Sequence, residues 1–247
     1  MSAQPKSDRG PVGRLRYRSY RLAKAYYHLA LLRMQRRDRE PPILVYQMGK
    51  VGSRTVLASL REAGTAARIF HVHVLTREGI EREERLHRAN WRGDARANHV
   101  WKSQHLRRRL EDPSDETRWD VVTLVRDPVA RNVSSFFQIG ERALGLDLGP
   151  DQPAVSVEEL TRRFLEDFDG HDTPLTWFDD ELAPVFGIDV FTRPFPYEQG
   201  FDIYEGDRAR VRLLRLEDLS ASAATAFDRF LGLENFRRAR TLSAILR

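Results

Sequence analysis

Gly49-Lys50-Val51-Gly52-Ser53-Arg54-Thr55 brings two glycines, a lysine and two hydroxyls into one short stretch, a set suited to holding a phosphate. Glycines let backbone N–H groups approach an anion closely, lysine adds a point charge, and serine and threonine add donors. The ATP-binding P-loop needs a lysine followed at once by Ser or Thr, whose hydroxyl holds magnesium. Here Lys50 is followed by Val51, so that ligand is missing from its place. A second set is Arg126-Asp127-Pro128-Val129-Ala130-Arg131-Asn132-Val133-Ser134. Its first arginine offers a planar fork that matches phosphate oxygens. Pro128 suits the first turn of a helix. At roughly 1.5 Å rise per residue, Ser134 lies about two turns further on, so both groups can reach one anion.

Proton transfer at neutral pH points to histidine. His71, His73, His99 and His105 are the candidates within the central part of the chain.

Elements must position these groups. Ile43 to Met48 has the length and β-branching of a buried strand, and the helical spacing of Val56, Leu57 and Leu60 follows. That order of strand, glycine turn and helix exposes helix N–H groups that have no intrahelical partner, at the positive end of the dipole. Further strands are expected at Arg68 to Leu75, His99 to Lys102, Asp120 to Arg126 and Arg210 to Leu216. The last precedes Glu217-Asp218-Leu219 and a helix from about Ser220, its expected N-cap, to Leu231. Strands alternating with helices predict an α/β fold, a parallel sheet flanked by helices. The alternation stops between about 141 and 206, where prolines, glycines and many aromatics suggest a helical and loop insertion over the open end of the sheet. Residues 14–37 read as a basic helix after a polar tail, ended by Pro41 and Pro42. The expected division is a basic tail and helix over 1–40 and an α/β domain over 41–247, with 141–206 as its substrate-side insertion.

In order and type, the two phosphate segments resemble those of the sulfotransferases that use 3′-phosphoadenosine 5′-phosphosulfate (PAPS), a P-loop-like fold. The stretch Lys50-Val51-Gly52-Ser53-Arg54-Thr55 is similar to that family's 5′-phosphosulfate loop. Arg126 and Ser134 match the pair that holds the 3′-phosphate, in a form found in members acting on carbohydrate. Leu213 to Leu219 is similar to the family's strand ending in Glu-Asp-Leu. Tyr46 to Ser53, with Trp177-Phe178 and Phe191 to Tyr204, looks like bacterial proteins of capsular polysaccharide synthesis. The resemblance spans roughly Ile43 to Leu231 and implies sulfuryl transfer from PAPS to a carbohydrate hydroxyl, with no metal. It implies cofactor contacts at Lys50, Val51, Gly52, Ser53, Arg54, Thr55, Arg126 and Ser134, with Lys50 stabilising the leaving 5′-phosphate. The segment Trp101-Lys102-Ser103-Gln104-His105-Leu106 is similar to the Lys-Thr-His-Leu run holding the base in cytosolic members. That makes His105 the expected base and Lys102 its neighbour, with His99, His73, Glu62 and Glu217 as substitutes. Two departures are visible: Arg54 stands where a small hydroxyl residue is common, and no Arg-Lys-Gly loop follows Leu231 to contact adenine.

The 247-residue chain suits one α/β domain with appendages. Its net charge of +5 favours anionic partners. With no cysteine, disulfides, thiolate catalysis and cysteine-based metal sites are excluded. No apolar run reaches the roughly 18 residues of a membrane span, and the N-terminus lacks the uncharged core of a signal peptide. The expected location is cytoplasmic, with the 14–37 helix able to lie peripherally on the inner face of the membrane. Lysine and arginine are not interleaved with a nucleic-acid reader motif, so no nucleic acid is expected. Two readings compete with the sulfotransferase: a non-catalytic anion- or membrane-binding protein, and a P-loop nucleotide or sugar kinase.

Overall fold

The computed structural model describes residues 11–35, 40–89, 98–143 and 155–232. They fall into two compact units, one within 1–39 and 74–115, the other within 40–73 and 116–247.

The second unit is built on a five-stranded sheet of β1 (Ile43–Tyr46), β2 (Ile69–Val72), β3 (Trp119–Val125), β4 (Phe201–Glu205) and β5 (Ala209–Arg215), in the order β2-β1-β3-β5-β4. The first four strands of that order are mutually parallel, and β4 closes one edge antiparallel to β5. Every residue of β1 is buried, as are Val121, Val122 and Leu124 of β3 and Val211 and Leu214 of β5. Such near-continuous apolar strands are what a sheet buried on both faces demands. Helices α2 (Ser53–Glu62), α5 (Pro128–Ala143) and α9 (Leu219–Leu231) follow β1, β3 and β5 respectively. The α/β class expected from the alternation is the class observed.

The segment expected as an insertion contains α6 (Val157–Glu166), α7 (Thr173–Trp177), a π-helical turn (Phe178–Leu182) and α8 (Ala183–Phe186). Most of its aromatics are core: Phe168 packs with Phe136 of α5, and Trp177 meets Tyr46 of β1 edge to face with centroids 4.8 Å apart. The Tyr46 hydroxyl donates to the buried Glu181 carboxylate at 2.6 Å.

Three sequence expectations need correction. His99 to Lys102 is not a strand: it opens the helix α4 (Asn98–Glu111). Trp101 lies in that helix because its ring is buried against Tyr20, a contact no local pattern announces. Phe201–Glu205, read as part of the insertion, is strand β4, paired with β5 through a tight turn in which the Gly206 N–H donates to the Ala209 carbonyl. The last helix starts at Leu219 with Asp218 as its N-cap, not Ser220, because a 3₁₀ turn over Leu216–Asp218 already bends the chain into it.

Among the described residues, the first unit is three helices: α1 (Pro11–Gln35), α3 (Arg77–Ala89) and α4. Tyr20 and Tyr27 of α1 pack on Trp101 of α4, the Trp101 indole N–H donates to the Tyr20 hydroxyl at 3.1 Å, and Lys24 pairs with Glu84 of α3 at 2.6 Å. Of the polar tail expected before the basic helix, residues 11–13 are already helical, and 1–10 lie outside the described residues. No described helix is long and apolar enough to cross a membrane.

Candidate functional site

Parallel neighbours leave the sheet on the same side, so the turns after β1, β3 and β5 all emerge at one carboxyl edge. In open α/β sheets this is where ligands bind.

The turn after β1 runs through two left-handed backbones, Lys50 with φ 75° and Gly52 with φ 89°. Left-handed geometry at a non-glycine residue costs about 1 kcal/mol or more and clusters at functional sites. Gly52 is the N-cap of α2 and, having no side chain, cannot cap it, so the first N–H groups of that helix are left to other partners. Gly52 also has no room for a side chain: a Cβ would stand 2.5 Å from Cδ1 of Leu216. Ser53 is buried, Thr55 half-buried and Arg54 exposed. Val51 is fully buried and anchors the turn.

Two arginines tie the second segment to this turn. Arg126 leaves β3 and donates from Nη1 to the Lys50 carbonyl at 3.2 Å. Arg131, in the first turn of α5, donates from Nε to the Gly49 carbonyl at 3.2 Å and from Nη1 to Asn132 Oδ1 at 2.8 Å and the Gly170 carbonyl at 3.2 Å. Asn132 in turn donates to the His171 carbonyl at 3.0 Å. The Asp127 side chain caps α5 by accepting from Ala130 N–H at 2.7 Å. Glu217, after β5, accepts from Asp127 N–H at 2.9 Å. The two segments singled out for phosphate chemistry therefore meet at one edge with Glu217 after β5, and Gly170 and His171 of the insertion reach it too.

Burial, with Arg126, Arg131 and Arg54 close by, holds the Lys50 ammonium below the ordinary lysine range. Cations crowded in this way lower one another's proton affinity, and an anion among them relieves the cost. Arg126 spends one of its five donors on Lys50. Ser134 lies on α5 and is half-buried. Positive charge and a helix N-terminus without a side-chain cap are features that suit an anion. No group of His, Asp or Glu among the described residues could hold a metal ion.

Arg131 is the site residue that sequence reading missed. It stands within the Arg-Asp-Pro segment, but spacing alone does not say that its guanidinium turns inward to clamp the Gly49 carbonyl.

The histidines divide between the units. His105 and Lys102 lie on α4 in the first unit, His105 only 3% exposed; His99 lies on the same helix, 3.8 Å from Glu83. His71 and His73 belong to the second unit, at and just beyond β2, with ring centroids 4.6 Å apart. His73 Nδ1 bonds the Gln47 carbonyl at 2.8 Å, and its own carbonyl accepts from the Trp177 indole at 3.1 Å. Glu62 ends α2, and Glu217 is engaged with Asp127.

The family model described as "NKWYS: Putative capsular polysaccharide synthesis protein" matches residues 169–242. That span begins at the loop holding Arg131 and takes in the π-helical turn, β4, β5 and Glu217. No curated protein and no solved structure matches the chain.

Proposed function

We propose that the chain is a sulfotransferase that moves a sulfuryl group from PAPS to a hydroxyl of a carbohydrate. The observation that carries this reading is the pair of guanidinium–carbonyl bonds from Arg126 and Arg131 to the turn holding Lys50. They hold the two segments together at one edge of the sheet, an arrangement that supports assigning them to the two ends of one bisphosphorylated nucleotide.

When bound, PAPS supplies an activated sulfuryl group for in-line transfer between two oxygens. Catalysis then rests on positioning and charge stabilisation. Lys50 and the α2 N-terminus are assigned to the negative charge that grows on the leaving 5′-phosphate, with Gly52, Ser53, Arg54 and Thr55 completing the cradle and Val51 packing it. Arg126 and Ser134 are assigned to the remote 3′-phosphate. Arg131 is a positioning residue that fixes the Gly49 carbonyl and hence the turn. The family resemblance assigns the proton acceptor to His105, beside Lys102; His73 is the histidine whose ring is oriented within the unit that carries Lys50. The match of 169–242 to a capsular polysaccharide family supports a carbohydrate acceptor.

Adenosine 3′,5′-bisphosphate, titrated against thermal stability, tests the reading. At 100 times its dissociation constant it should add about 2.7 kcal/mol, and Arg126→Ala should abolish the gain. No shift with this ligand but one with Mg-ATP would mean a kinase. Binding with no transfer of labelled sulfate to an extract of host polysaccharide would leave an anion-binding protein without this activity.

A further inference from the structure

Helix α1 has an inward face, formed by Tyr20, Tyr27, His28 and Leu31, that packs within the three-helix unit. A second apolar face is turned outward. Leu15, Leu22, Tyr26 and Leu29 are 46–74% exposed. At about 100° per residue they fall within about 60° of the helix circumference, a stripe about 21 Å long at 1.5 Å rise per residue.

The charge around the stripe is one-sided. Between Asp8 and Asp38 the sequence holds nine Lys and Arg and no Asp or Glu. Arg18, Arg21 and Arg33 are exposed on the helix. Beside the stripe, next to Ala25, opens a cavity of about 400 Å³ lined by Tyr20, Arg21, Lys24, His28, Glu84 and Arg108. Lys24 there is paired with Glu84. His28 is 8% exposed, and among the described residues neither ring nitrogen meets hydrogen-bond geometry, with Gln104 as a polar neighbour. Burial, then Arg108 and Lys24, push its pKa down to about 4, so it is a neutral imidazole with one N–H to donate.

We propose that α1 docks this unit on an anionic lipid bilayer, Leu15, Leu22, Tyr26 and Leu29 entering the interface while the pocket of Arg21, His28 and Arg108 takes a lipid phosphate. An amphipathic helix with basic flanks lies in the plane of the interface, its apolar side in the acyl boundary and its cations at the headgroups. A second copy of this chain is the poorer occupant, because it would bring two uniformly basic stretches together. An anionic bilayer attracts the same charge, at about a fivefold gain in binding for each basic residue at its surface. The inference is independent of the sulfotransferase reading.

Deleting α1 would remove Tyr20 and Tyr27 from Trp101, so point variants of exposed residues make the better test. The full chain is sedimented with vesicles of phosphatidylcholine alone or mixed with phosphatidylglycerol. It should bind the mixed vesicles only, and less as salt rises. Leu22→Asp/Tyr26→Asp should lower binding at least about tenfold, and Arg21→Ala/Arg108→Ala about 25-fold. All should keep the wild-type melting temperature. The proposal fails if the wild type stays in the supernatant with both vesicles, or if the variants bind as it does. It also fails if the chain is a dimer that Leu22→Asp/Tyr26→Asp dissociates and no vesicle binding is seen.

Discussion

Lys50 carries a backbone that lysine disfavours and an ammonium crowded by arginines. Both features cost stability in the free protein, so Lys50→Gly should raise stability by up to about 1 kcal/mol in thermal unfolding. If the same lysine stabilises a leaving phosphate, sulfuryl transfer should fall about 100-fold or more in the same variant. A parallel loss of stability and activity would mean that Lys50 is structural. His28 gives a second prediction from charge and burial. Its pKa of about 4 lies below the 6.5 of an unfolded histidine. The unfolded chain therefore takes up the proton first as pH falls, and stability present above about pH 6.5 is lost down to about pH 4, by about 3 kcal/mol at most. Chemical denaturation of His28→Gln should lack that slope. At this scale residue type alone marked Lys50, Arg126 and Ser134 as candidates, and the structure brings Arg126 to the Lys50 carbonyl. The sequence was silent on Arg131, whose role depends on which way a long side chain folds.

The turn between β1 and α2 works because Gly52 serves two needs at once. It takes a left-handed backbone, and it lets Leu216, just past β5, close against the start of α2. Gly52→Ala should destabilise by about 2 kcal/mol or more, since strain and overlap add. Adding Leu216→Ala should recover only part of this, because the backbone strain stays; full recovery in thermal melts would show that strain is negligible. The buried runs of β1, β3 and β5 were legible because a strand covered on both faces leaves few polar positions to confuse the pattern. Strand β4 was hidden by its alternation of Phe, Asp, Ile, Tyr and Glu among other aromatics, and its pairing with β5 is settled by the turn at Gly206. Helix α4 was misread at its start, where Val100 and Trp101 look like strand residues until Tyr20 of another helix is seen to cover the tryptophan.

The whole molecule separates into a sheet unit that carries the Lys50 turn and a helical unit that carries the basic helix. Hydrogen exchange with adenosine 3′,5′-bisphosphate should therefore protect 49–56 and 126–134 together, since both belong to one edge. Protection confined to one of these segments would refute a shared ligand. The same measurement addresses the base: protection extending to 102–106 favours His105, and protection at 71–73 without it favours His73. The sequence by itself determined the α/β class, the buried strands that precede Lys50 and Arg126, and the basic character of α1, because each is written in short-range periodicity, residue type and charge. Only the tertiary structure decided that three separated turns meet at one carboxyl edge, that residues 74–115 join α1 rather than the sheet, and which face of α1 stays outside. Those outcomes depend on packing between residues far apart in the chain, which no local pattern encodes.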